Sequence, residues 1–222
     1  MENGSEINPV NSDDQTFFDD QDYGWCLLAK DEKSEVEYNF KTPLSLHEGS
    51  FTFWFRWLEP DATSFFNLAR LWIKENKTFK PVLRIYLYPH SNLGFMVLRY
   101  HPREFNVWQR LATLKVQLDK WRSHPEEWHF VALTWNTQEG RLYLDGIMVD
   151  ADPGFARIPL TFDRLVIGEP SCSYNNPKVE KMVTYKKYLI RDIKLYNFVI
   201  DPNVLCAEYQ KSCGNLISKD NF

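Results

Sequence analysis

The chain has 222 residues and a formal net charge of −4; that length supports one large all-β domain with its own core, and no long Lys/Arg run implies a nucleic-acid partner. Aromatic residues make up 16% of the chain, a load suited to the interior of a sandwich and to stacking surfaces. No apolar run approaches the ~18 residues of a membrane span and no basic-then-apolar leader follows Met1, so no membrane insertion is expected; the expected location, although no leader is present, is secreted or at the cell surface, as a domain of a larger protein.

Residues 1–19 are rich in Asn, Asp, Ser and Glu and read as a polar tail or linker. The domain is expected over 20–213, with a polar C-terminal tail over 214–222. Val36, Tyr38 and Phe40 alternate with Glu35, Glu37 and Asn39, the pattern of a half-exposed strand. From Gly49 the alternation sharpens, with Phe51, Phe53, Phe55 and Trp57 on a core face and Thr52, Trp54, Arg56 and Leu58 on the other. Phe65 to Ile73 reads as a further strand containing Asn67 and Arg70. Two neighbouring strands follow, Leu83, Ile85 and Leu87 alternating with Arg84, Tyr86 and Tyr88, then Phe95, Val97 and Arg99 with Met96, Leu98 and Tyr100. Residues 104–121 mix a spacing of three (Phe105, Trp108, Leu111) with a spacing of two (Leu114, Val116, Leu118), which predicts a loop or short helix leading into an edge strand.

Trp128 to Trp135 and Arg141 to Val149 are alternating runs joined by a polar segment ending in Gly140, the pattern of an antiparallel hairpin. Neither face of the first run is polar, so it wants cover on both sides. Asp145-Gly146 supplies a tight turn, because this pair reaches positive φ most easily. Arg164 to Gly168 returns as a strand, 169–177 is a loop, and Ile190 to Phe198 is a final strand. Pro202 opens a short helix over Asn203 to Tyr209, with Asp201 as its cap and Gly214 after its last turn. These elements add up to two packed antiparallel sheets.

Trp128-His129-Phe130-Val131-Ala132-Leu133-Thr134-Trp135 and Leu142-Tyr143-Leu144-Asp145-Gly146, with Gly49 to Trp57 before them and Leu165 to Gly168 and Ile190 to Tyr196 after them, resemble laminin-G-like and pentraxin-like domains of the concanavalin A-like lectin/glucanase superfamily. The resemblance implies an all-β, concanavalin A-like jelly-roll sandwich of two antiparallel sheets. It is unspecific for function, since related domains serve as lectins, adhesion modules, calcium-dependent recognition modules and appendages of enzymes.

Three sites are candidates. The first is a groove on the non-core face of the larger sheet, expected to bring Trp54, Arg56, Arg84, Tyr86, Tyr88, Tyr100, Asp192 and Lys194 together. Rings there would stack on sugar C–H faces while charged groups orient hydroxyls or carboxylates; the competing readings are a covering layer, from residues 104–121, or plain surface. The second, implied by the resemblance, is a calcium site at the rim of the sandwich. A hard cation wants six to eight oxygens, and those available come from Asp61, Asp145, Asp150, Asp152, Asp163, Asn175 and Asn176, with Asp145, Asp150 and Asn175 as the chosen ligands and a turn role as the alternative for Asp145. The third is catalysis. The superfamily's glycoside hydrolases carry Glu, Asp and Glu at near-alternate positions; the nearest approach, Glu32, Glu35 and Glu37, lacks the Asp, which argues against a glycoside hydrolase or polysaccharide lyase.

Cys26, Cys172, Cys206 and Cys213 permit two disulfides in an extracellular module, with Cys206–Cys213 the most local pairing and four reduced thiols the competitor. The functional expectation is a non-catalytic recognition module for a glycan or glycosylated protein. The alternatives are an interaction module that contacts another copy or other domains of its parent protein, and a glycan-active enzyme.

Overall fold

Strand-forming alternation is realised along most of the chain. The computed structural model describes residues 17–20, 24–29, 36–58, 66–75, 78–88, 94–100, 110–117, 127–157, 159–168 and 188–217. Its strands are β1 (Phe17–Asp20), β2 (Gly24–Ala29), β3 (Val36–Leu46), β4 (Gly49–Trp57), β5 (Phe66–Glu75), β6 (Thr78–Tyr88), β7 (Gly94–Tyr100), β8 (Arg110–Gln117), β9 (Trp128–Trp135), β10 (Gly140–Leu144), β11 (Ile147–Asp152), β12 (Leu160–Ile167) and β13 (Tyr188–Tyr196). One helix, α1 (Pro202–Ile217), follows them. Seven strands form a sheet in the order β1-β2-β13-β4-β9-β10-β11, and six form a second in the order β3-β12-β5-β6-β7-β8. The expected two-sheet antiparallel sandwich is therefore present, and β8 is the edge strand that the spacing of Leu114 and Val116 predicts.

The main core lies between the sheets. Phe51, Phe53 and Phe55 of β4 and Val131, Leu133 and Trp135 of β9 share one buried cluster with Leu71, Leu83, Ile85, Phe162 and Ile167 of the six-stranded sheet. Every residue of β9 is buried, as its two apolar faces require. The turn between β10 and β11 has both central residues at positive φ, Asp145 at 52° and Gly146 at 77°, which matches the twist of the flanking strands. Asp145 also ties the turn to β9: its Oδ1 accepts from Phe130 N at 2.9 Å and its Oδ2 lies 3.0 Å from His129 Nδ1.

Three further hydrogen bonds join the sheets. At one margin, Asp152 Oδ2 accepts from Thr113 N at 2.9 Å and Asp150 Oδ2 accepts from Lys115 N at 2.8 Å, so carboxylates of β11 satisfy amides on edge strand β8. In the interior, the Tyr188 hydroxyl donates to Asn67 O at 3.0 Å. Beyond the sheets, Asp201 caps α1 by accepting from Asn203 N at 2.8 Å. The helix continues through Gly214 to Ile217, so Gly214 is an interior residue and not the expected terminator.

Two stability tests follow from this packing. A Cβ on Gly49 would run into the buried Trp135 ring and come 2.8 Å from Tyr196 O, so Gly49→Ala should cost about 1–3 kcal/mol, read as a lower urea midpoint. Burial holds the Tyr188 hydroxyl pKa well above its ordinary value, so above pH ~10 the unfolded chain releases a proton that the native state keeps, and stability falls as pH rises. Tyr188→Phe should lose about 1 kcal/mol at neutral pH through the missing hydrogen bond and should flatten the alkaline decline, as followed by urea titrations from pH 8 to 11.

Candidate functional site

The eight residues expected in one groove lie on two sheets. Trp54 and Arg56 are on β4 and Asp192 and Lys194 on β13 of the seven-stranded sheet, whereas Arg84, Tyr86 and Tyr88 are on β6 and Tyr100 on β7 of the six-stranded sheet. Trp54 and Arg84 thereby face opposite sides of the sandwich, so a single groove does not form. The side chains of Tyr88 and Tyr100 lie outside the described residues.

On the seven-stranded sheet the outer face is itself a second core. Trp54, Trp128, Phe130, Ala132, Tyr143 and Leu189 cluster with Ile200 and Leu205 from the C-terminal segment. Trp54 is 2% exposed, tilted against Phe130 at 5.1 Å and stacked on Tyr209 of α1 at 6.1 Å. This ring is committed to packing and has no face to offer a sugar. The Arg191 guanidinium carbon lies 5.1 Å from the Trp54 ring centre and 4.7 Å from that of Trp128. Arg56 is half-buried opposite Trp128.

Strict alternation misses Arg191 because β13 carries a bulge. Arg191 pairs with Trp54 but Lys194 pairs with Thr52, so one extra residue is inserted and the faces exchange. Asp192, at φ 50°, sits in that bulge and is exposed. Lys194 donates to Glu208 of α1 at 2.8 Å, a hydrogen bond that raises the amine's pKa. Lys194 thus fastens the helix to the sheet.

The outer face of the six-stranded sheet carries rings paired with cations. Arg70 lies over Trp72 at 4.6 Å, Arg164 over Phe79 at 4.5 Å, Lys74 over Phe79 at 5.8 Å and Arg84 over Tyr86 at 5.5 Å. Trp72 is half-buried and Phe79 is 39% exposed, while Tyr86 is buried at 9%. Arg84 is fixed by Asn67, whose Oδ1 accepts from Nη2 at 2.8 Å and from Nε at 3.2 Å. Of this group, sequence analysis singled out Arg84 and Tyr86; the alternation Arg70, Trp72, Lys74 in β5 was the available signal for the rest.

The described rim carboxylates are engaged by protein donors. Asp145 engages His129 and the amide of Phe130, Asp150 accepts from the amides of Lys115 and Ala151, and Asp152 accepts from that of Thr113 and, through Oδ1, from Gly154 N at 2.7 Å. Asp163 accepts from Lys74 N at 3.0 Å. Among the described residues no group of three or more His, Cys, Asp or Glu side chains is arranged to hold a metal; Asp61, Asn175 and Asn176 lie outside them. Glu37 forms an ion pair with Arg164, and Glu32 and Glu35 lie outside the described residues. Cys206 is a free thiol and Cys26 is fully buried beside Trp54 and Trp128 in the second core. The Cys206–Cys213 pairing fails because both positions are on α1, where seven residues rise ~10 Å, beyond the reach of a disulfide. Cys172 and the Cys213 side chain fall outside the described residues.

A family model described as the concanavalin A-like lectin/glucanases superfamily, of laminin G type, matches residues 30–202, and the chain belongs to that family. Similar solved structures include the botulinum neurotoxin serotype D ligand binding domain in complex with N-acetylneuraminic acid, with a TM-score of 0.65 and 12% identity over 93% of this chain and 46% of that one. The binding domain of botulinum neurotoxin DC in complex with rat synaptotagmin II aligns with a TM-score of 0.58 and 13% identity over 85% of this chain and 42% of that one. The binding domain of Paraclostridial Mosquitocidal Protein 1 gives 0.63 and 11% over 94% and 48%. The chain therefore spans under half the length of these domains, and at such identity they share its fold. Comparison with curated proteins returns no match.

The buried position of Trp54 sets a test against the open-groove expectation. Trp54→Ala should lower unfolding stability by about 3–5 kcal/mol in urea denaturation, where a solvent-facing ring would leave the midpoint nearly unchanged.

Proposed function

We propose that this domain is a non-catalytic recognition module that binds a glycan or a glycosylated surface on the outer face of its six-stranded sheet. The observation that carries the reading is the row of guanidinium-braced rings, with Trp72 and Phe79 the more exposed members. A ring held by a neighbouring cation offers a flat apolar surface at small entropic cost, and sugar C–H faces stack on such surfaces. The opposite sheet's outer face is closed by α1, which directs attention to this one. The engagement of Glu37 by Arg164 supports binding without chemistry, because that carboxylate balances charge. The N-acetylneuraminic acid complex of one structural neighbour is in keeping with a sugar ligand.

A protein partner is the second reading. It is favoured by Ile147 and Met148, 68% and 53% exposed at the start of β11, and is in keeping with the synaptotagmin complex of another neighbour. Either ligand accords with a module of a larger secreted or cell-surface protein.

Glycan-array screening of the domain, followed by calorimetry, tests the proposal. Trp72→Ala and Phe79→Ala should each weaken glycan binding by about tenfold or more, the equivalent of one lost stacking contact, with far smaller losses of stability than Trp54→Ala. Unchanged binding in both variants would remove the site from this face. A stable dimer by light scattering, with no array signal, would favour the protein reading.

A further inference from the structure

Arg84 and its supports make up a more specific feature of that face. On β5 the register passes from Ala69 opposite Ile85 to Asn67 opposite Tyr86, leaving Leu68 as an inserted residue. Leu68 and Ala69 both belong to the inter-sheet core. Without the bulge, alternation from Arg70 would turn Asn67 inward; with it, Asn67 shares the outer face with Arg84, as bulges re-aim side chains. Asn67 is 0% exposed, and its amide oxygen takes both donors on the Nε–Nη2 edge of the guanidinium. That contact consumes one edge of Arg84 and leaves the Nη1–Nη2 edge, the fork that receives a carboxylate through two parallel hydrogen bonds.

The contacts of Arg84 are with an amide and a phenol ring, both uncharged. Arg70, 6% exposed, stands directly across from it in register. Like charges directly opposed across a sheet pair are costly, and a half-buried guanidinium fixed by a neutral group keeps its full charge for an incoming anion.

Resting on the glycan reading, we propose that Arg84 is the specificity-determining residue of this face and receives the carboxylate of an acidic sugar. Asn67 is its positioning residue. Uncharged sugars would still stack on Trp72 and Phe79 but would leave the fork of Arg84 unanswered.

The experiment is calorimetry of the intact chain with a hyaluronan hexamer, its carboxyl-reduced counterpart and a sulfated heparin hexamer. The wild type should bind the hyaluronan hexamer about tenfold more tightly than the reduced one, the increment expected of one charge-assisted pair. Arg84→Gln should abolish that difference. Arg84→Lys, which keeps the charge and loses the fork, should retain only part of it and serves as the folded control if Arg84→Gln is unstable in urea. Equal binding of the acidic and reduced hexamers by the wild type would overturn the carboxylate assignment and leave the glycan reading standing. Tighter binding of the heparin hexamer than of hyaluronan would overturn the choice of a carboxylate over a sulfate. Absence of binding to all three, together with a blank array, would overturn both proposals.

Discussion

The constraint on which the rest of this structure depends is that its central strands are apolar on both faces. β4 and β9 present Phe51, Phe53, Phe55, Val131 and Leu133 to the six-stranded sheet, and Trp54, Trp128, Phe130 and Ala132 to the other side. One sheet-on-sheet interface satisfies only the first set. The second needs a lid, which α1 supplies with Leu205 and Tyr209, while Arg191 fills the space between Trp54 and Trp128. A cation held between two indoles is worth about 2 kcal/mol where it is desolvated, and its aliphatic stem adds packing. Closing this face has a functional consequence, because it withdraws from any ligand the ring that reads in the sequence as the best stacking platform.

Several carboxylates with the look of metal ligands have structural duties of the same kind. An edge strand exposes unpaired amides, and Asp150 and Asp152 reach from β11 to cover two of them on β8. Asp145 adopts positive φ and ties its turn to β9. Each of these carboxylates already has a protein donor to answer. Asp150 and Asp152 therefore tie the two sheets together at one margin, while Asp145 fixes a turn within its own sheet.

The six-stranded sheet is organised differently. Its inner face is apolar, but its outer face repeats cation against ring across β12, β5 and β6. The bulge at Leu68 keeps the core apolar and at the same time aims Asn67 at Arg84. One inserted residue thus serves packing on one side and side-chain positioning on the other. A second bulge, in β13, does the equivalent on the opposite sheet by bringing Arg191 over the tryptophans.

The sequence alone determined the sandwich. Period-two alternation, the Asp145-Gly146 turn and the Asp201-Pro202 helix start are local signals, and each is read from neighbouring residues. It also marked β9 as a strand needing cover on both faces, and singled out Arg84 and Tyr86. Only the tertiary structure decided which sheet each strand joins, so only there do Trp54 and Arg84 part to opposite sides. Bulges escaped the sequence for a related reason: one extra residue exchanges the two faces downstream, and whether it is inserted depends on the partner strand. Burial of Trp54 likewise depends on a helix about 150 residues further along, a contact that no local pattern encodes.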